Sequence, residues 1–209
     1  MIKLERFILI EMRKARIIRK TKETQVYIEL NLDGKGVSKI STPIGFLNHM
    51  LELFCFFSMF DIKLKAQGDI EVDIHHLNED IGIVLGQALR RCLRSKNITR
   101  FSSKIVPMDK SLVRVSLDIS GRPLLDFEEG KAKRFFLKSV KGYDLNYTRQ
   151  FLLSLVNNAQ ITLHIDILKA DDAHHVLEAI FKGLGLCLGE ATRIITKLRG
   201  RVSSTKGRL

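Results

Sequence analysis

His75-His76-Leu77-Asn78-Glu79 and His174-His175-Val176-Leu177-Glu178 are one pattern written twice in a single chain. Each copy opens an apolar run with helical spacing: Ile81, Val84, Leu85, Ala88 and Leu89 follow the first, and Ile180, Leu184, Cys187, Leu188 and Ala191 the second. Of the six histidines, all but His49 and His164 lie in these pairs. Residues three and four apart share a helix face, so Glu79 is within reach of His75 and His76, and Glu178 of His174 and His175. Adjacent histidines project about 100° apart, which suits a pair to two different ions better than to one. Imidazole with carboxylate is a donor set for a borderline divalent transition metal such as manganese, iron or zinc. A single copy would read equally well as an exposed helix start with an acidic residue in its first turn. Recurrence before two matching helices points to metal binding.

A chain of 209 residues, 45% hydrophobic and 28% charged, is long enough for a sizeable core and has the composition of a soluble globular protein. Its net charge of +12 calls for an anionic partner or a solvated basic surface. Only the two ends, Arg13 to Lys22 and Lys197 to Arg208, are markedly basic. With no tryptophan and three tyrosines, a base-stacking surface has little to work with. Cys55, Cys92 and Cys187 sit in apolar helical runs without metal-ligand spacing, as expected of buried thiols in a reducing compartment. The N-terminal stretch MIKLERFILIEMRK has one short apolar patch and no small-residue cleavage site, and no apolar run reaches the length of a membrane span. A cytoplasmic protein that does not engage membranes is expected.

Alternation from Glu23 to Asn31 predicts a half-buried strand, closed by an Asp-Gly-Lys-Gly turn. Ser111 to Asp118 repeats it and ends in Ser-Gly-Arg-Pro. Gly45 to Phe57 reads as a helix, with Gln150 to Asn158 as its counterpart. Strands follow at Phe60 to Ala66 and Ile161 to Ile167, and each half closes with its His-His helix. The order strand, strand, helix, strand, helix thus occurs twice. It predicts an α+β unit of two similar halves, about 10–100 and 108–198, that meet near 101–110, with the helices sandwiched between two sheets.

These residues resemble the imidazoleglycerol-phosphate dehydratase family of histidine biosynthesis, in its monofunctional form. The resemblance runs from Arg16 to Leu209. It rests on Arg19-Lys-Thr-Lys-Glu-Thr24, Gly45-Phe-Leu-Asn-His-Met-Leu51, Gly68-Asp69, His75-His-Leu-Asn-Glu-Asp80 and Pro107-Met-Asp109. It continues through Asp118-Ile-Ser-Gly-Arg-Pro123, Leu163-His164, His174 to Lys182, and Ser204-Thr-Lys-Gly207. It implies the duplicated ribosomal-protein-S5 domain-2-like fold and a cubic homo-oligomer, a 24-mer, with two manganese ions per active site held between neighbouring subunits. The implied reaction removes water from imidazole glycerol phosphate, a small-molecule phosphate, to give imidazole acetol phosphate. By position, the metal ligands fall on His49, His75, His76, Glu79, His174, His175 and Glu178. Glu23 is the candidate for proton transfer and substrate contact, and joins His75, Glu79, His174 and Glu178 as catalytic. The remaining substrate positions fall on Arg100, Arg122, Lys182, Ser204, Thr205 and Lys206, cations and hydroxyls suited to phosphate.

Departures from the family pattern are equally specific. The family's second histidine on the helix of His49 is Phe57 here, and the aspartate before His49 is Asn48. The second-half counterpart of His49 is Gln150, whose amide oxygen ligates a transition metal more weakly than imidazole. One of the two ions thus lacks a strong ligand. His164 lies in a strand, where a core or supporting role is expected rather than ligation. Three readings follow in order: an active dehydratase with one altered metal site, an inactive member that keeps the fold and assembly, and a basic nucleic-acid-binding module. The last leaves both histidine motifs without a role, so no nucleic-acid partner is expected.

Overall fold

The computed structural model describes residues 13–93, 97–130, 139–198 and 201–206. Most of the N-terminal stretch lies outside them, as do Gly207 and Arg208 of the basic tail.

Alternation builds the sheets. In the strand Thr24–Asn31, Thr24, Val26, Ile28 and Leu30 are buried while Gln25, Tyr27, Glu29 and Asn31 point outward. Burying one face on a core fixes such a strand's register. This strand is β2 of a sheet that also contains β1 (Lys14–Lys20), β3 (Ser38–Ser41) and β4 (Asp61–Gly68), in the order β1-β2-β4-β3. The second sheet holds β5 (Phe101–Met108), β6 (Ser111–Asp118), β7 (Leu124–Glu128) and β8 (Thr162–Lys169), in the order β5-β6-β8-β7. In both, the third strand of the half joins its neighbour in parallel and every other pairing is antiparallel. Each half therefore has three strands before its first helix, one more than the sequence pattern predicts. β5 fills the stretch where that pattern places the junction of the halves.

Among the described residues, four α-helices lie between the sheets: α1 (Gly45–Ser58), α2 (His75–Cys92), α3 (Leu145–Ala159) and α4 (Ala173–Ala191). α3 starts at Leu145, ahead of the predicted Gln150, because Asp144 caps it by accepting from the Tyr147 N–H at 3.0 Å. α2 packs on β1 and β2, α4 on β5 and β6, and the halves meet helix to helix, α1 on α4 and α2 on α3. Glycine permits that approach. A Cβ on Gly86 of α2 would fall 2.5 Å from the Leu155 carbonyl oxygen of α3, and one on Gly185 of α4 would fall 2.7 Å from the Phe54 carbonyl oxygen of α1. The same contact made twice is the duplication expressed in packing.

All three cysteines are buried. Burial pushes the Cys55 and Cys187 thiols up to about 11 and Cys92 up to about 12. Among the described residues no helix is long and apolar enough to cross a membrane.

Candidate functional site

Both His-His segments start helices, and an aspartate two residues earlier fixes each first turn. Asp172 Oδ1 accepts from the backbone N–H groups of His174 (2.8 Å) and His175 (3.3 Å). Asp73 Oδ1 accepts from the His75 N–H at 3.1 Å and from the Tyr147 hydroxyl at 2.7 Å. The repeated unit is thus Asp-x-His-His-x-x-Glu. Its aspartates are visible in the sequence, although the histidines alone define the pattern at first sight.

Packing of α1 on α4 brings His49 to the second copy. Glu178 Oε1 lies 3.0 Å from His174 Nε2 and 3.1 Å from His49 Nε2. Its other oxygen accepts from Lys182 Nζ at 2.7 Å. The Phe46 ring stands edge-on to His174 at 5.2 Å. Glu178 is 7% exposed; burial pushes its carboxyl up, but hydrogen bonds from Lys182, His49 and His174 outweigh that and bring it down to about 2. Two imidazole nitrogens and a carboxylate oxygen all within 4.8 Å of one another could hold a metal ion. Nitrogen with one hard oxygen fits a divalent transition metal.

The neighbouring histidines diverge. His175 Nε2 faces Asp109 Oδ2 at 3.5 Å, and its Nδ1 is buried with no hydrogen-bond partner among the described residues. In the first copy, His75 Nε2 lies 3.4 Å from Glu79, whereas His76 Nδ1 lies 3.1 Å from Asp69. Each glutamate therefore meets one histidine of its pair rather than both, because the other imidazole turns to an aspartate from another segment, Asp69 for His76 and Asp109 for His175. Hydrogen bonding to Asp69 is the main cause of the raised pKa of His76, and the nearby Glu23 charge adds to it. Glu23 sits in the turn before β2; its N–H donates to Thr21 Oγ1 and its carbonyl accepts from the Asp69 N–H.

Gln150 takes the place in α3 that His49 takes in α1. A Cβ on Gly82 of α2 would fall 2.6 Å from the carbonyl oxygen of Phe151, so Gln150 lies along the first turns of α2. Its Oε1 is buried without a hydrogen-bond partner among the described residues. The first copy thus has His75 and Glu79 but a glutamine where the second has His49. Phe57 stands two helical turns from His49, about 12 Å along α1, stacked edge-on against Phe56 at 5.3 Å. Asn48 both accepts from the Thr42 hydroxyl (2.7 Å) and donates to the Thr42 carbonyl (2.9 Å), a double role closed to an ionised aspartate. His164 pairs with Asp126 at 3.1 Å on the outward face of β8, so it belongs neither to the core nor to the cluster.

A second constellation gathers at the end of β6. Asp118 receives Arg100 in a two-pronged bond, 2.7 and 3.0 Å, and Arg100 Nη1 donates to the Ser203 carbonyl at 2.9 Å. Arg122 reaches toward the same carboxylate at 3.9 Å. The tail beyond Ser203 carries Ser204, whose Oγ accepts from the Lys206 N–H at 3.2 Å, with Thr205 and Lys206 exposed. Lys182 belongs instead to the His49, His174 and Glu178 cluster, through its bond to Glu178. Asp69, Asp109 and Asp118 are missing from the candidates drawn from sequence; they come from turns and strand ends, where no periodic pattern marks them.

A duplicated α+β fold with a buried carboxylate between two imidazoles defines a class: an α+β scaffold whose side chains could hold a metal ion. The family model described as imidazoleglycerol-phosphate dehydratase matches residues 42–188. The dehydratase of Thermoanaerobacter pseudethanolicus is 50% identical over 198 residues, 94% of this chain and 99% of that one. That of Azorhizobium caulinodans is 46% identical over 199 residues, 95% and 99% of the two chains. The crystal structure of the Staphylococcus aureus dehydratase superposes with a TM-score of 0.77 at 38% identity, covering 87% of this chain and 99% of that one. A structure of the Pyrococcus furiosus protein in complex with (S)-C348 gives 0.78 at 38%, covering 92% and 100%. The chain belongs to the imidazoleglycerol-phosphate dehydratase family, hydro-lyases of histidine biosynthesis.

Proposed function

We propose that the chain dehydrates D-erythro-imidazole glycerol phosphate to imidazole acetol phosphate with manganese, in active sites shared between subunits of a cytoplasmic 24-mer. The observation that carries this is the His49, His174 and Glu178 cluster beside Lys182. The two halves, about 10–100 and 108–198, act as one domain. In this reading His49, His174 and Glu178 hold one ion, and His75, Glu79 and the Gln150 oxygen hold the second. His76 and His175, which diverge from their own clusters, supply the ions of neighbouring subunits. Manganese bound there supplies Lewis acidity toward the substrate's imidazole nitrogens.

The chain's own groups then divide the work. Dehydration takes a proton from one substrate carbon and hydroxide from the next, and the resulting enol ketonises. Glu23, whose carbonyl accepts from the N–H of Asp69, the partner of His76, is the carboxylate for proton transfer. Arg100, Arg122, Ser204, Thr205 and Lys206 take the phosphate. Lys182 donates to the Glu178 carboxylate at 2.7 Å, which favours its ionised, ligating form, and presents its ammonium toward the substrate. Replacing Glu178 with Gln removes the anionic ligand. Manganese content and turnover should both fall, turnover by more than about a hundredfold; a variant with wild-type metal and rate would refute the assignment.

One observation favours a second reading, an inactive member with an impaired metal site: the Gln150 oxygen has no partner among the described residues, where an imidazole would offer a strong ligand. Metal content and turnover measured on one sample separate the two.

A further inference from the structure

We propose that Asp118 is a positioning residue for the substrate's phosphate. One carboxylate sets the plane of Arg100, draws Arg122 toward it and, through Arg100, seats the Ser204-Thr205-Lys206 segment. The inference rests on the reading that these residues take the phosphate.

The geometry is specific. Asp118 ends β6, and its side chain is 19% exposed. Its two oxygens accept from Arg100 Nε and Nη2 at 2.7 and 3.0 Å, the paired bond that fixes a guanidinium plane. The third used donor, Nη1, goes to the Ser203 carbonyl at 2.9 Å, and the Ser203 hydroxyl donates to the Ile98 carbonyl. Arg100 thus holds the described part of the tail at Ser203, together with the Ser203–Ile98 bond, and two of its five N–H groups make no bond among the described residues. Its backbone is also locked. It holds a left-handed φ of 76°, with its N–H on the Ala191 carbonyl at 2.7 Å and its own carbonyl accepting from Ile119 N–H at 3.1 Å. Arg122 enters from the turn after β6, where Ser120 Oγ accepts its N–H at 3.1 Å, and its guanidinium stands 3.9 Å from Asp118.

Electrostatics favours the same role. Arg100, Arg122 and Lys206 carry three positive charges against the single charge of Asp118, so a phosphate dianion still meets a net cation. What the carboxylate adds is order: arginines already held in place lose less rotamer freedom when the anion binds. Asparagine at this position keeps the shape but turns an N–H₂ toward the guanidinium, so the paired bond is lost.

The test uses the manganese-loaded, assembled enzyme, with steady-state kinetics and inhibition by inorganic phosphate. D118N should raise KM and the phosphate inhibition constant together by about tenfold, with kcat within about twofold. R122A serves as the comparator and should raise both constants. If R122A raises them and D118N does not, the inference fails while the phosphate reading stands. If neither variant moves either constant, the phosphate reading fails and carries the inference with it. A loss confined to kcat in D118N would assign Asp118 to the reacting atoms and also overturn the inference. Should D118N fail to fold, D118E keeps the charge and displaces the fork; a wild-type KM in that variant overturns the inference equally.

Discussion

At the scale of residues, one position separates the two halves of the site. His49 lies 3.1 Å from Glu178, while the oxygen of its counterpart Gln150 is buried and unbonded among the described residues. An unpaired buried acceptor costs about 1–3 kcal/mol, so the position is poorly satisfied until something binds there. Gln150→His should raise manganese affinity at the weaker site by about tenfold or more, read by titration of metal-stripped protein. An unchanged affinity would mean that Gln150 is not a ligand. The sequence shows the histidine and glutamate pairs because helix spacing is periodic. It does not show which histidine each glutamate meets. The divergence of His76 to Asp69 and of His175 to Asp109 depends on turns brought in from elsewhere in the chain.

Among the elements, the helices are readable because their apolar faces recur every three to four residues, as at Ile81, Val84, Leu85 and Ala88. β3 (SKIS) and β7 (LLDFE) escape for a physical reason. Both are short edge strands with only part of each face covered, and half-buried alternation is what marks a strand. The close helix contacts are visible only as isolated glycines until the partner backbone is known. Gly86→Ala and Gly185→Ala each gain up to about 1 kcal/mol of helix propensity. Each also drives a methyl to within 2.5 and 2.7 Å, respectively, of a carbonyl oxygen. Overpacking costs about 1–3 kcal/mol, so both variants should melt lower than the parent, by similar amounts. A higher melting temperature for either would show that the helices can separate freely there.

Over the whole molecule the net charge is +12, and among the described residues charge is unevenly placed. Outward residues of the first sheet include Lys14, Arg16, Lys63 and Lys65, with Arg16 and Lys63 near the Tyr27 ring at 5.0 and 5.7 Å. Those of the second are mixed: Asp126, Glu128 and Asp166 stand with Arg114 and Lys169, and Arg114 pairs with Asp166 at 3.0 Å. The basic sheet lies on the face opposite the helices and their histidines. Oligonucleotide at physiological salt should therefore leave the KM for substrate unchanged. A KM that rises with oligonucleotide and recovers steeply with added salt would place nucleic acid at the site. Composition reports the total charge and hides this placement, which appears only once alternate residues are sorted onto the faces of a sheet.

The most direct test of the central claim is manganese content per subunit, measured with dehydratase turnover on the same sample after metal loading. The account predicts two ions per active site, the one at Gln150 released first on dialysis, together with turnover. A loaded protein holding no manganese at His49, His174 and Glu178, or holding it without dehydrating the substrate, would contradict that claim.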